Sequence, residues 1–408
     1  MRPVLDETLL ANAKKLLEKY NLCDSCIGRL FARLYPKKDR KQIGKEIREK
    51  ILLKKTSEEK CWLCEGICKD FDYLADITIE KIKEYEFETF LVGSIVDDEI
   101  LEREKLVQQG ISDASFSESI KLEINREIAR RISERLGKKI SVKNPDVTII
   151  VDTRFYHVSF QVRSVYIYGR YLKLVRGIPQ TKWPCRVCRG MGCRRCGYTG
   201  KMYETSVEEI IAEKALEFFD AEDEAFHGSG REDIDALMLG EGRPFVLEIK
   251  NPQRRKVDLR KLEEEINRFA MGRVEVRNLA YADKNKVVEL KKAKHLKTYK
   301  VSIIADKPLE REKLKEAAQL LQGKIIKQAT PLRVLHRRAD LERERKIVEC
   351  KVEDVKCNRA TLIIMAEAGT YIKELVSGDW GRTKPSLSEM LNINCRVEQL
   401  DVIDIKGE

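Results

Sequence analysis

Eight of the twelve cysteines in this chain fall into four Cys-x-x-Cys pairs, and this spacing constrains the fold more than any other feature of the sequence. Two thiolates at this spacing form half of a tetrahedral zinc site, which a second pair completes. Residues 1–7 carry charge and then an amphipathic pattern, not the apolar stretch of a secretory signal. We therefore expect a reducing, intracellular location in which the paired cysteines bind metal instead of forming disulfides.

The first two pairs are separated by a lysine-rich, helical stretch. They are Cys23, Cys26, Cys61 and Cys64. No open coordination position or adjacent base is evident, so the pattern favours a structural zinc over a redox role. Cys68 is near enough in sequence to act as a substitute ligand. Such a site would help a small domain over residues 1–70 to fold.

The other two pairs lie close together, and glycines are interleaved with them. They are Cys185, Cys188, Cys193 and Cys196. Glycines allow a short chain to turn back tightly enough for four thiolates to reach one ion, which predicts a second zinc. Residues 181–201 carry six Lys and Arg and no acidic residue. Two interpretations stay open: a zinc knuckle that contacts RNA, or a stabilised insertion whose basic residues balance the thiolate charge.

The overall charge indicates a polyanionic partner. The chain has 79 Lys and Arg against 68 Asp and Glu, a formal net charge of +11. Basic proteins gain affinity for nucleic acids through the release of counterions. No apolar run approaches the roughly 18 residues that would cross a bilayer, so we expect a cytoplasmic protein with no membrane partner. Its 408 residues predict two or three domains.

Residues 71–175 have the pattern of a separate α/β unit. Isoleucines recur every four residues from Ile120 to Ile132, and Ser115 with Glu118 predicts a capping box at the start of this helix. The helix is rich in arginine, and strand-like runs follow it. A helix of this kind is either an RNA-binding surface or simply a solvated face.

A glycine-rich loop presents the main candidate for chemistry. Gly228 and Gly230 precede Arg231 and Asp233 in this loop. A carboxylate beside an arginine at the rim of a cleft is a reasonable nucleophile or base. The alternative from spacing alone is an ordinary solvated acidic turn.

Four ordered motifs resemble those of known pseudouridine synthases. Gly-Arg-Glu-Asp at 230–233 is similar to the catalytic element of TruA-like enzymes, and Lys-Thr-Tyr-Lys at 297–300 to the strand that carries their tyrosine. Gly-Thr-Tyr-Ile-Lys-Glu-Leu at 369–375 resembles a strand of TruB-type members, with lysine in place of arginine. The fourth motif spans 328–340. With the N-terminal cysteines and a THUMP-like segment, the set resembles the archaeal and eukaryotic tRNA pseudouridine synthases of the "Pus ten" family.

The resemblance implies an α+β fold in three parts. An N-terminal zinc-binding segment (1–70) would precede a THUMP-like RNA-binding domain (71–175). The pseudouridine synthase catalytic domain (176–408) would have a mixed, largely antiparallel sheet and would carry the cysteine knuckle (181–201) as an insertion. A monomer is expected.

The resemblance also implies the reaction and the site. Uridine 55 of the TΨC arm of tRNA, and in archaeal members also uridine 54, would be everted and isomerised. Asp233 would be the nucleophile, Lys373 would keep it ionised, and Tyr299 would contact the base and assist deprotonation. Tyr371 would line the same pocket, and Arg231 would bind substrate there. Catalysis would need no cofactor and no nucleotide, so zinc would be structural only.

Further basic residues are expected to grip the RNA backbone. Seven lysines between 284 and 300 predict a mobile loop that contacts phosphates, with a solvated charge run as the alternative. The arginines Arg333, Arg337 and Arg338 form a second candidate cluster for binding the substrate.

Two functions from other classes compete with this interpretation. Asp235, Glu248 and Lys250 fit the short Asp…Glu-x-Lys pattern of magnesium-dependent nucleases. A non-catalytic, tRNA-binding adaptor would share the basic surface and lack the chemistry. Asp235 also introduces an ambiguity within the first interpretation, because it lies two residues from Asp233.

Overall fold

The computed structural model describes residues 7–54, 57–111 and 113–406, except for the side chain of Arg337. The chain forms two compact units, Met1–Arg163 and Ser164–Glu408. Each unit combines helices with a sheet, which confirms the predicted α+β class. Within the described residues, every helix is too short or too polar to cross a membrane.

The first unit packs helices against a small mixed sheet. Its helices are α1 (Glu7–Lys19), α2 (Asp24–Arg29), α3 (Arg40–Ile51), α4 (Phe71–Ile82), α5 (Asp98–Gln109) and α6 (Ile120–Leu136). Its strands are β1 (Thr89–Ile95), β2 (Lys139–Ile140), β3 (Val147–Asp152) and β4 (His157–Val162). The strand order is β2-β1-β3-β4, in which β1 is parallel to both neighbours and β4 is antiparallel to β3.

Helix α6 follows the predicted isoleucine pattern but begins later than predicted. The isoleucines from Ile120 to Ile132 are buried against the sheet. The expected Ser115–Glu118 capping box is wrong, because the hydroxyl of Ser119 accepts the Leu122 N–H at 3.3 Å instead. Glu118 is committed elsewhere, to ion pairs with arginines.

The second unit is built on a large sheet. Its helices are α7 (Val207–Phe219), α8 (Leu259–Ala270), α9 (Lys284–Lys292), α10 (Arg311–Leu321), α11 (Ile372–Ser377) and α12 (Leu387–Leu391). Its strands are β5 (Val165–Lys173), β6 (Asp223–Gly228), β7 (Leu237–Lys250), β8 (Val274–Ala282), β9 (Leu296–Ala305), β10 (Ile325–Gln328), β11 (Arg343–Lys356), β12 (Arg359–Ala366), β13 (Thr383–Lys384) and β14 (Cys395–Lys406).

Nine of these strands run in the order β13-β10-β11-β12-β9-β14-β7-β5-β8, and β6 pairs with β7. Among the described strands of this large sheet, β14 and β7 are the one parallel pair, so the sheet is mixed and largely antiparallel as predicted. Strand β5 pairs with β7 and β8 in this sheet, although its residues fall inside the segment 71–175 that was predicted to be THUMP-like. The boundaries of the three predicted parts therefore stay a prediction.

The mobile lysine loop predicted over 284–300 is wrong. Residues 284–292 form α9, whose first turn is capped by the Asp283 carboxylate through the N–H groups of Asn285 and Lys286. The apolar side of this helix, with Val287 and Leu290, is buried. Strand β9 follows within a few residues, so packing fixes the segment despite its charge.

Candidate active-site cleft

A cleft of about 750 Å³ opens on the second unit where the loop 229–236 faces strand β9 and the start of α11. A cavity of this size is within the range of ligand sites in proteins. Most of the residues predicted for catalysis line it: Arg231, Asp233, Asp235, Tyr299, Arg333, Arg338, Tyr371 and Lys373. The lining also includes Trp183, Arg243 and Lys297, which were not predicted.

The loop that carries Asp233 needs a glycine at position 230. Gly230 has φ of +79°, and a Cβ built there would lie 2.6 Å from the Nζ of Lys297. Any other residue would be strained at this φ, and the Lys297 ammonium would have to move to make room for its Cβ. The preceding N–H of Ser229 donates to the carbonyl of Pro244 at 2.9 Å, which anchors the loop to β7. The Gly-Arg-Glu-Asp motif therefore has a local structural reason as well as a chemical one.

Asp233 lies beside two cations in the cleft. Its Oδ2 is 3.2 Å from the Nζ of Lys373 and 3.4 Å from a guanidinium nitrogen of Arg333. The side chain is 35% exposed, so it is accessible from the cleft. Arg333 is itself held by Glu374, which accepts from its Nε at 2.7 Å.

Asp235 shares the same lysine. Its Oδ2 is 2.8 Å from Lys373 Nζ, closer than that of Asp233, but its side chain is 66% exposed. Partial burial would raise the pKa of Asp235, yet the hydrogen bond and charge of Lys373 hold it below the usual value. Lys373 thus bridges two carboxylates, and both acids remain beside the cleft.

The two predicted tyrosines reach the cleft from different elements. Tyr299 is buried on β9, and this burial, with a contribution from the Asp233 charge, raises its pKa to about 12. Its phenol is therefore protonated at neutral pH. Tyr371 lies immediately before α11, where its backbone N–H and carbonyl both bond to the side chain of Gln328. A guanidinium nitrogen of Arg338 donates to its phenol oxygen at 2.9 Å.

The motif at 369–375 is not the strand that the resemblance implied. Strand β12 ends at Ala366, and Gly369 then takes φ of +85° in a turn closed by the Thr370 hydroxyl on the Glu367 carbonyl. Residues 372–377 continue as α11. The helix directs Lys373 into the cleft while Ile372 and Leu375 are buried.

A buried polar network beneath the loop was not predicted. The Glu232 carboxylate accepts from Tyr171 at 2.8 Å and is 2.9 Å from Arg243 Nε, and these side chains are almost completely buried. Arg243 also donates to the carbonyl of Ser229 at 2.7 Å, and Gln180 donates to that of Gly230 at 2.9 Å. Burial of Glu232 could not be predicted from the sequence, because a charged residue is expected to face solvent unless a buried partner for it is known.

Two further buried lysines, Lys173 and Lys297, lie beside this polar network. The Lys173 ammonium donates to the carbonyls of Ile178, Asp233 and Ile234 at 3.0–3.1 Å. Lys297 is buried in the cleft wall, where burial and the charge of Arg243 lower its pKa to about 7. Lys297 thus lies in the cleft wall, apart from the helix that carries the first lysines of the charge run.

Of the remaining predicted residues, Arg231 and Arg338 lie at the rim of the cleft. A guanidinium nitrogen of Arg231 donates to the hydroxyl of Thr181 at 3.2 Å, and its guanidinium lies 5.2 Å from the ring centre of Trp183. The side chain of Arg337 falls outside the described residues. Substrate contacts by these arginines stay a prediction.

The nuclease triad does not assemble. Glu248 accepts from the phenol of Tyr166 at 2.9 Å and contacts His227 at 3.2 Å, and Lys250 pairs with Asp223. Neither Glu248 nor Lys250 lines the cleft that contains Asp235. Across residues 7–54, 57–111 and 113–406, groups of three or more side chains that could hold a metal ion consist of cysteines only, and Asp235, Glu248 and Lys250 do not meet at one site.

The four cysteines predicted for the knuckle come together. The sulfurs of Cys185, Cys188, Cys193 and Cys196 lie within 4.8 Å of one another, with separations of 3.8–3.9 Å between three of the pairs. Four Zn–S bonds of about 2.3 Å in a tetrahedron place sulfurs about 3.8 Å apart, so this donor set fits zinc. Because a disulfide bond joins its two sulfurs at about 2.05 Å, these longer separations exclude disulfides among the knuckle cysteines.

The N-terminal cluster differs from the predicted set by one residue, since Cys68 takes the place of Cys61 in the group of neighbouring sulfurs. Cys23, Cys26, Cys64 and Cys68 lie within 4.8 Å of one another, and the Cys23–Cys64 separation is 3.9 Å. The predicted ligand Cys61 is adjacent, because its sulfur accepts the Cys23 N–H at 3.2 Å. Five buried thiols therefore compete for the four positions of a tetrahedral ion.

Comparison with known proteins identifies the family. The description "Pus10, C-terminal" matches residues 166–406, and "Pus10 THUMP domain, archaeal" matches residues 74–152. The chain belongs to the Pus10 family of pseudouridine synthases. The THUMP match lies entirely within the first unit and the C-terminal match within the second.

Relatives in the family are similar along nearly their whole length. A tRNA pseudouridine synthase Pus10 from Methanothrix thermoacetophila is 41% identical, over 98% of this chain and 95% of the relative. The one from Methanocaldococcus jannaschii is 43% identical, over 96% and 93%. The one from Archaeoglobus fulgidus is 47% identical, over 84% and 94%.

Solved structures are more distant. A Cbf5–Nop10–Gar1 complex has a chain with 15% identity and a TM-score of 0.30, covering 49% of this chain and 45% of that one. A pseudouridylate synthase has 13% identity and a TM-score of 0.21, covering 62% and 70%. Likenesses this weak do not bear on the function of the chain.

Proposed function

We propose that this protein isomerises uridine to pseudouridine in the TΨC arm of tRNA, at position 55 and also at position 54, with Asp233 as the nucleophile. The observation that carries the proposal is the position of Asp233, beside Lys373 and Arg333 in a cleft that also contains Tyr299. The names of its Pus10 relatives support tRNA as the substrate.

The residue types suit the reaction. A uridine everted into the cleft would bring its ribose C1′ to the Asp233 carboxylate, which would form a C1′–O bond as the N1–C1′ bond breaks and uracil leaves as its N1 anion. The uracil would then turn, and its C5 would displace the carboxylate from C1′, which frees Asp233. The proton leaves C5 and a proton is gained at N1, so the product is an isomer of the substrate. Lys373 and Arg333 each place a positive charge within about 3.5 Å of the Asp233 carboxylate and would orient it for attack.

Tyr299 would contact the everted base. Its protonated phenol is a hydrogen-bond donor, and its ring provides an apolar surface on which uracil packs. The buried Glu232–Arg243 pair and the Lys173 ammonium would hold the loop rigid from below. Preorganisation of this kind is what an attack at a single carbon requires.

The paired cysteines would hold structural zinc. Cys185, Cys188, Cys193 and Cys196 would bind one ion. Cys23, Cys26 and Cys64 with either Cys61 or Cys68 would bind the other. Zinc at these closed sites would supply folding energy and no chemistry to the reaction.

Asp233→Asn and Asp235→Asn form the decisive pair of variants. An unmodified tRNA transcript is incubated with each variant, and pseudouridine is mapped at single-nucleotide resolution. We expect Asp233→Asn to lose roughly a thousandfold or more in rate, as is typical for removal of a nucleophile, and Asp235→Asn to lose about tenfold at most. Full activity in Asp233→Asn would contradict the assignment. Cleaved RNA, or loss of activity with magnesium chelation, would contradict the reaction class.

A further inference from the structure

Trp183 joins the second cysteine cluster to the active-site cleft. It is placed two residues before Cys185 and lines the same cavity as Asp233. Its carbonyl accepts the N–H of Met202, and Pro184 forms a bridge with Lys201, so the two ends of the knuckle are tied together at this point. The N–H of Cys185 also donates to the carbonyl of Gly200 at 2.7 Å. The knuckle thus fixes the backbone from which the Trp183 side chain reaches the cleft.

The side chain itself is held by two neighbours. Tyr203 meets the indole edge-on at 5.6 Å between ring centres. The Arg231 guanidinium lies 5.2 Å from the indole centre and also bonds to Thr181. The indole is half-buried, so part of it remains accessible within the cleft. The guanidinium lies over the indole ring as a cation–π pair, and both groups are of the kind on which nucleobases stack.

The cleft has room for more than the reacting base. Arg231 and Asp233 alternate along one loop, and their side chains reach different partners: Asp233 meets Lys373 and Arg333, whereas Arg231 meets Trp183. A single uracil ring beside Asp233 would fill only part of the 750 Å³ cavity. The part of the cavity lined by Trp183 therefore leaves room for a second group beside the reacting base.

We propose that Trp183 and Arg231 form a binding subsite for a second nucleobase of the RNA, a neighbour of the everted uridine, which stacks on this surface while the uridine reacts. The inference rests on the proposed function, since it assumes an RNA with an everted base in the cleft. It assigns a role in RNA binding to Trp183, which none of the sequence motifs contains. Stacking also explains why this position would need an aromatic side chain and not merely an apolar one.

Steady-state kinetics on an unmodified tRNA transcript test the subsite with three variants. We expect Trp183→Ala and Trp183→Leu to raise KM about tenfold or more, within the roughly 5- to 150-fold that base–aromatic stacking contributes, and to change kcat less than about threefold. Trp183→Phe should stay near the wild-type value. A KM for Trp183→Leu equal to that for Trp183→Phe would mean that apolar packing suffices. An unchanged KM in Trp183→Ala would mean that no base stacks there. Either result overturns the proposal.

Trp380 provides a matched control. It is 94% exposed on the same unit and does not line the cleft, so Trp380→Ala should keep the wild-type KM. Equal thermal midpoints for all variants by circular dichroism would separate a binding defect from a folding defect.

A direct readout does not depend on turnover. In the full-length double variant Trp62→Phe/Trp380→Phe, Trp183 is the sole tryptophan. Saturation with tRNA transcript should quench its emission by at least about a third, because a stacked base quenches indole fluorescence. Unchanged emission while filter binding reports saturation would overturn the subsite. If instead the emission is quenched but wild-type protein makes no pseudouridine, the proposed function fails and the subsite stands.

Discussion

The two cysteine clusters have the same ligand chemistry and very different surroundings. The five thiols of the N-terminal cluster are buried and belong to the apolar core of the first unit. The knuckle cysteines are outside the apolar core of the second unit, and Cys193 and Cys196 are partly exposed. Around the knuckle, Val187, Met191 and Tyr198 are exposed to solvent. The first cluster therefore replaces part of a core, whereas the second shapes a surface loop beside the cleft.

This difference has a physical basis. The first unit surrounds its cluster with helices from distant segments, so loss of the ion would leave several thiols buried without a partner. The knuckle closes a loop of about 20 residues, and the large sheet below it is complete without it. A metal at the first site would thus contribute to global stability, and one at the second to local order.

The largest expected effect is that of Cys64→Ser. Its sulfur lies 3.9 Å from that of Cys23 and belongs to both proposed ligand sets, so its loss would require Cys61 and Cys68 to bind the ion together, whereas only Cys68 belongs to the group of sulfurs within 4.8 Å of one another. We expect the first unit to lose more than about 3 kcal/mol of unfolding free energy, a fraction of the roughly 10–16 kcal/mol that structural zinc supplies to small domains. Denaturant titration followed through Trp62, with Trp183 and Trp380 replaced by Phe, measures it. A change below about 1 kcal/mol would remove the distinction between the clusters.

A chelator should release metal in two steps. We expect about two zinc ions for each chain, and the partly exposed knuckle should lose its ion at least about tenfold faster than the buried cluster, since local opening is easier at a surface loop. Absorbance of a zinc-binding dye follows both phases. Release of both ions in one phase would show that burial does not separate the sites.

A smaller, local effect is expected for Cys196→Ser. The thermal stability of the second unit should change by less than about 1 kcal/mol, because Cys196 packs outside its core. The KM for tRNA should rise by a factor similar to that of Trp183→Leu, because the backbone that holds Trp183 would loosen. Cooperative unfolding of the whole unit would contradict this view of the knuckle.

The smallest effects on metal content should come from Cys61→Ser and Cys68→Ser made singly. Each leaves four thiols for one ion, so each should keep both zinc ions and cost less than about 1.5 kcal/mol. The double variant should lose the N-terminal ion. If one of the single variants loses it, that residue is an obligatory ligand and the other only packs. Metal content by mass spectrometry of the native protein distinguishes these results.

A second contrast concerns the arginines. On α6, Arg126, Arg130 and Arg131 all pair with Glu127, and Arg135 pairs with Asp72 and Asp76. In the cleft, Arg333 contacts Asp233 and Arg338 contacts the phenol of Tyr371. From the sequence alone, both groups of arginines are candidates for binding RNA. The ion pairs make α6 a charge-balanced, solvated surface, so α6 is a weaker candidate for binding RNA than the cleft.

The sequence by itself determined the cysteine clusters, the isoleucine face of α6, the α+β class and the motifs that carry Asp233, Tyr299 and Lys373. These depend on spacing along the chain and on residue types with few alternative uses. Only the tertiary structure decided that Cys68 joins the first cluster, that residues 284–292 form a helix and that residues 372–377 are helical. It also decided that Lys297 and Glu232 are buried. A charged side chain has no local signal for burial, because the partners that make burial tolerable come from strands far away in the chain.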